Sequence, residues 1–206
     1  MLALALSAAA AAYGCAAPNP IVSLAPPAKA PVSDSYPDQL RRWTRFGRII
    51  KQLDTPLKVH ATLFAPEFAS AYVSRYSDLF KLPPAKRAKL AEEQRKSWET
   101  SFPLVFAAAT HDWTWNDFDR KDSVWRVALV NDGGAQVSPQ TIKRVRRQTA
   151  TTKSFFPYVA EFYEVYEVRF PRALPDGRAL VDGDTKSLLL RFAGPLGQTE
   201  LTWKLR

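Results

Sequence analysis

LLLRFAGPLGQTELTWKL, residues 188–205, decides the fold class of this chain. Leu188, Leu190 and Phe192 alternate with Leu189 and Arg191. A Gly194-Pro195-Leu196-Gly197 turn follows, and Leu201, Trp203 and Leu205 alternate back. Period-two alternation on both sides of a Gly/Pro turn predicts two antiparallel strands with one buried face.

The same periodicity recurs upstream. Leu57, Val59, Ala61 and Leu63 alternate with Lys58, His60 and Thr62, while Phe102–Ala109 is apolar on both faces, as in a central strand. Trp125, Val127 and Leu129 form another inward set, closed by Asn131-Asp132-Gly133-Gly134. Residues 137–147 predict a weaker edge strand because of Pro139. Phe162, Tyr166, Val168 and Phe170 share one face before the turn at Pro175-Asp176-Gly177. About seven strands result, which suits a mainly β, immunoglobulin-like antiparallel sandwich.

One segment breaks the pattern. Pro66 opens a helix carrying Phe68, Tyr72, Tyr76 and Leu79/Phe80 on one stripe. Pro83-Pro84 ends it and starts a polar second helix, whose docking face is limited to Leu90, Ala91 and Trp98. Residues 66–100 are thus expected to form a helical hairpin inserted between two strands. Residues 39–52 are open between helix and strand: Gly47 and Ile49-Ile50 oppose a long helix.

The amino-terminal end has a different character. Leu2–Ala12 is apolar but too short to span a bilayer. It has the length of a signal-peptide core and ends at Ala12-Tyr13-Gly14-Cys15, with Cys15 the single cysteine. This leader resembles that of bacterial lipoproteins, whose motif places a small residue before the modified Cys. The resemblance implies cleavage of residues 1–14 and lipidation of Cys15. Because Ala16 is not Asp, it also implies an outer-membrane anchor facing the periplasm. Ala12 stands where the family usually has Leu, and no Lys or Arg precedes Lys29; an ordinary cleaved signal with a free Cys15 and an uncleaved anchor are the alternatives. Six prolines from Pro18 to Pro37 make residues 15–37 an expected extended tether of roughly 65–70 Å. Residues 38–206 are then one domain.

The net charge of +9 is concentrated. Arg41, Arg42, Arg45, Arg48 and Lys51 fall in one acid-free tract, and Lys143, Arg144, Arg146, Arg147 and Lys153 in another; together they hold ten of the 29 Lys and Arg. Such tracts attract anionic partners. In an envelope these are lipid headgroups, glycans or acidic protein faces, and the compartment argues against nucleic acid. A solvated edge that discourages strand pairing is the other reading.

Catalytic signals are weak. Asp112, Asp117, Asp119 and Asp122 have the chemistry for Ca²⁺ but not the EF-hand order. Trp113, Trp115 and Phe118 suit either a sugar- or peptide-binding face or the cap of a core. His60 falls on the polar face of its strand, and with His111 as the only other histidine a zinc cluster is not expected. No G-x-S-x-G, H-E-x-x-H, P-loop or G-x-G-x-x-G is present. The sequence therefore predicts a non-enzymatic binding protein without a cofactor. Its layout, a sandwich with a helical insertion behind a lipid tether, is similar to that of accessory lipoproteins of envelope machines such as type VI secretion. That likeness implies an envelope protein as partner.

Overall fold

The computed structural model describes residues 19–206 except 30 and 32. The leader and Cys15 lie outside the described residues.

Among the described residues the fold is mainly β, with two five-stranded sheets and four α-helices. One sheet has the order β1 (Ile21–Val22), β10 (Gly197–Leu205), β9 (Ser187–Gly194), β5 (Arg126–Asn131), β6 (Gln136–Val137). The other runs β2 (Thr44–Lys51), β3 (Asp54–Leu63), β4 (Ser101–Thr110), β8 (Glu164–Pro171), β7 (Thr141–Arg144). All pairs are antiparallel except β1 with β10.

The alternating residues do what period two requires. Leu57, Val59, Ala61 and Leu63 are buried between the sheets, opposite Leu188, Leu190, Phe192, Leu201 and Trp203 of the other layer. β4 is central, between β3 and β8. Phe106 sits at the middle of the core: its ring stacks on Tyr166 (4.9 Å between centroids) and meets Phe118 and Phe192 edge-on at 5.3 and 5.2 Å.

The ambiguous stretch 39–52 is both elements in succession. Tyr36, Leu40 and Trp43 are buried at helical spacing in α1 (Tyr36–Trp43), and the run of β-branched and aromatic residues from Thr44 converts the chain to β2. β2 alternates cleanly: Arg45, Gly47 and Ile49 point inward, Phe46, Arg48 and Ile50 outward. Gly47 is required where β2 passes β10, since a Cβ there would lie 2.8 Å from both Leu201 Cδ1 and Thr199 Oγ1. Gly197 is required twice over, by its φ of +129° and by Ile49, 2.7 Å from where its Cβ would stand.

Four expectations are corrected. The described residues contain ten strands rather than about seven. Residues 137–147 are not one strand: they hold the last residue of β6 and the whole of β7, with Pro139 at the crossing between sheets. Phe162 does not share the inward face of Tyr166, Val168 and Phe170; it precedes β8 in a left-handed conformation (φ 72°) and is exposed. Nor is the stretch 15–37 an extended tether throughout. Ile21-Val22 pairs with Lys204-Leu205, Val22 is fully buried, and Tyr36 belongs to the core. The prolines fix φ without preventing a short strand whose carbonyls are met by side chains.

The helical insertion lies between β3 and β4 as expected. Pro66 opens α2 (Pro66–Leu79), and α3 (Pro84–Thr100) begins at the second proline of Pro83-Pro84. The buried stripe of α2 is Phe68, Ala69, Ala71, Val73, Ser74 and Ser77, whereas Leu79 and Phe80 are partly exposed. α3 buries no residue at all. It is held by ion pairs along its own surface, Arg95 to Glu92 at 2.6 Å and Arg95 to Glu99, and by Trp98 against Phe102 at 5.4 Å. A fourth helix, α4 (Ala150–Phe155), is started by a reciprocal Thr149/Thr152 capping box and packs Phe155 against Tyr36. The sandwich has two dissimilar ends. α1, α2 and α3 meet the strands at one end, while the β2–β3 hairpin, the 111–125 loop and the β9–β10 turn share the other.

Candidate binding surfaces

The two basic tracts divide into structural and free cations. Arg45 is 3% exposed and hydrogen-bonds four backbone carbonyls: Thr202 and Arg42 at 2.8 Å, Thr44 at 2.9 Å and Pro20 at 3.3 Å. Its guanidinium also sits 5.7 Å from the Trp203 ring. Burial, and then the neighbouring Arg42, push it down to about 10. Arg42 donates to Ile21 O at 3.1 Å and pairs with Glu67 at 3.3 Å. Arg144 donates to Tyr166 Oη at 2.9 Å and to Asn116 O, with Asp119 3.8 Å away. Arg41 pairs with Asp38 on the surface. The expectation that all ten bind an anionic partner is therefore corrected: Arg42, Arg45 and Arg144 are tied into the fold because inward strand positions and helix ends demand donors for carbonyls there.

Arg48, Lys51, Lys143, Arg146, Arg147 and Lys153 remain exposed, without an ion pair among the described residues. Arg48 and Lys51 are on β2, Lys143 on β7, and β2 and β7 are the two edges of the same sheet. Arg146, Arg147 and Lys153 continue from β7 into α4.

The 111–122 loop is a structural cap with one outward ring. Asp112 caps the 3-10 turn Trp113–Trp115, accepting from Thr114 N at 2.8 Å. Asp117 is buried and accepts from Ser123 Oγ at 2.8 Å. No group of three or more potential metal ligands is found among the described residues; Asp112 and Asp117 are engaged within the loop, and Asp119 lies near Arg144. Phe118 is in the core. The Trp115 carbonyl accepts from Trp125 Nε1 at 2.8 Å, and Trp113 alone is widely exposed, at 83%. The aromatic face is thus reduced to Trp113.

His60 is not a plain surface residue. Its ring stacks on Tyr158 at 5.1 Å, with Phe46 at 4.6 Å and Tyr163 at 5.8 Å. Burial lowers its pKa from 6.5. Below about pH 6.5 the unfolded chain binds a proton at this position while the folded chain resists it, so stability declines as pH falls. The expected result is a smaller loss of melting temperature between about pH 7 and about pH 5 for His60→Phe than for the parent. Equal losses would refute this account.

Sequence reasoning missed a groove between α2 and α3. It encloses about 710 Å³ and is walled by Ala69 and Val73 of α2, Ala88, Ala91 and Trp98 of α3, and the Pro26-Pro27 segment. Arg87 and Arg95 stand among its lining residues. Small residues at matched positions on two helices were the available signal, but periodicity alone does not say which helix face meets which. A groove of this size and apolar lining suits a small amphiphile or an apolar side-chain cluster.

No known protein family, curated protein or solved structure matches the chain.

Proposed function

We propose that this chain is a non-enzymatic lipoprotein of the bacterial envelope, anchored in the outer membrane through Cys15, whose body binds an anionic envelope component. The observation that carries the reading is the set of six exposed cations left free along the edges of one sheet and into α4. Free charge of one sign raises the local concentration of oppositely charged partners. For the fold we propose an immunoglobulin-like sandwich; what supports it is that the orders β3-β4-β8-β7 and β10-β9-β5-β6 match A-B-E-D and G-F-C-C′, with β1 and β2 as additions at the edges.

The test is retention of the full chain on lipopolysaccharide and on peptidoglycan. With Arg48→Glu, Arg146→Glu and Arg147→Glu combined, affinity is expected to fall about tenfold or more, and parent binding is expected to weaken with salt. Unchanged retention would sink the basic-surface reading. Mass spectrometry of the mature amino terminus tests the anchor separately, and an unmodified Cys15 would remove it.

A second reading, an envelope-lipid binding module, is favoured by the groove between α2 and α3. Displacement of a fluorescent fatty acid, blocked by Ala91→Trp, distinguishes it; an absence of fatty-acid binding discards it.

A further inference from the structure

The geometry points to the β2–β3 hairpin as a membrane-docking tip that inserts into an anionic lipid surface. Among the described residues eight large hydrophobic side chains are exposed, and they are not evenly spread. Ile50, Leu53, Trp113 and Phe162 lie toward the end of the sandwich opposite α1, α2 and α3. Leu53 is fully exposed at the hairpin tip, beside Gln52, whose φ of 58° makes the turn. Trp113 is carried by the neighbouring loop, which is fixed to the hairpin by His111: its Nδ1 lies 2.9 Å from Asp54 and its backbone N–H donates to Pro56 O at 3.4 Å. Phe46, half-exposed, extends the apolar strip along the outward face of β2.

Cations flank this strip. Arg48 stands between Phe46 and Ile50, opposite Lys58 in the strand register, and Lys51 precedes the tip. Asp54 is the hairpin's one carboxylate, and it is engaged by His111. Apolar side chains on a projecting turn with basic residues just behind them match the two layers of a membrane surface, hydrocarbon below anionic headgroups. An interface with a protein core would instead be expected to deplete charge at its centre.

β1 pairs with the last residues of β10, Lys204 and Leu205, at the α1 end of the sandwich, so the amino-terminal strand leaves the hairpin end uncovered. The inference rests on the envelope reading, which supplies the anionic bilayer.

The test uses the full chain with Cys15→Ser and Leu53→Cys, labelled at position 53 with an environment-sensitive dye. The vesicles are phosphatidylcholine alone or phosphatidylcholine with about one-third phosphatidylglycerol. The expected result is a blue shift on the anionic vesicles, quenched by nitroxide-labelled lipid, and a roughly tenfold weaker affinity when Arg48, Lys51 and Lys58 are changed to Glu. The proposal is overturned if the dye remains in water on both vesicles, if charge reversal changes nothing, or if the same dye at Ala88→Cys on α3 shifts equally. A shift without vesicles, accompanied by a dimeric mass, would assign the face to a second copy and would also overturn it. Position 15 is serine throughout, so the result does not depend on lipidation. An unmodified Cys15 in the mature protein would remove the anchor while leaving hairpin insertion standing, and failure of insertion would leave the anchor standing.

Discussion

Arg45→Met is expected to lower folding stability by about 3–5 kcal/mol, measured as a reduced urea midpoint with an unchanged slope. Arg45 is a buried cation with no carboxylate partner among the described residues; its charge is compensated by four carbonyl oxygens and the face of Trp203. Methionine retains most of the apolar stem but none of the donors. The carbonyls left dry cost about 1–3 kcal/mol each unless water reaches them. Because the acceptors come from β1's approach, the α1–β2 junction and β10, one substitution loosens three elements together. Arg45→Lys should fall between the two, since a single ammonium cannot span the same fork. A loss below about 1 kcal/mol would mean that the carbonyls find other donors.

Phe106→Ala is the second large effect, expected at about 3–5 kcal/mol. Phe106 is fully buried on the central strand β4 and touches aromatic rings from β8, β9 and the 111–125 loop. The lost side chain leaves a cavity walled by Tyr166, Phe118 and Phe192, of which Tyr166 is held by its Oη, donating to Asn116 O at 2.7 Å. A wall fixed in this way resists collapse into the space, which places the cost toward the upper part of the range. For a domain whose total stability is about 5–15 kcal/mol, the melting temperature should fall by about 10 °C or more. Phe106→Leu, which retains most of the volume, should lose less than half as much. A shift of only a few degrees for the alanine variant would show that the cluster repacks.

Much of the sandwich was legible because its strands obey period two without interruption. β3, β9 and β10 each carry three or four inward apolar residues in register, β5 carries Val127 and Leu129 just after Trp125, and turns with Gly or Pro mark their ends. The helical hairpin was legible from its prolines. The hidden parts have in common that distant side chains create them. β1 is two residues long, too short for any periodicity, and exists because Arg42, Arg45 and β10 accept it. Arg45 looks like one more cation of a basic tract. Its position, in phase with Gly47 and Ile49, was the available signal that it points inward. His60 was placed on the correct face of β3, but the segment that covers this face, with Tyr158 and Tyr163, is remote in sequence and does not announce its docking. The groove between α2 and α3 likewise depends on how two helices face each other, which neither helix encodes alone.

The grip on β1 also has a mechanical consequence. The carbonyls of Pro20, Ile21 and Val22 are held in turn by Arg45, Arg42 and the backbone N–H of Arg206. Since β1 lies along β10, traction on the amino-terminal end acts lengthwise, and the three bonds stretch together instead of unzipping one at a time. The first and last segments of the body are thereby stapled to each other, and tension entering at one terminus passes directly into the strand that ends at the other. A domain towed by its amino-terminal end should yield in shear across this staple, with α1 loaded through Arg42 and the Pro26-Pro27 wall of the groove next in line.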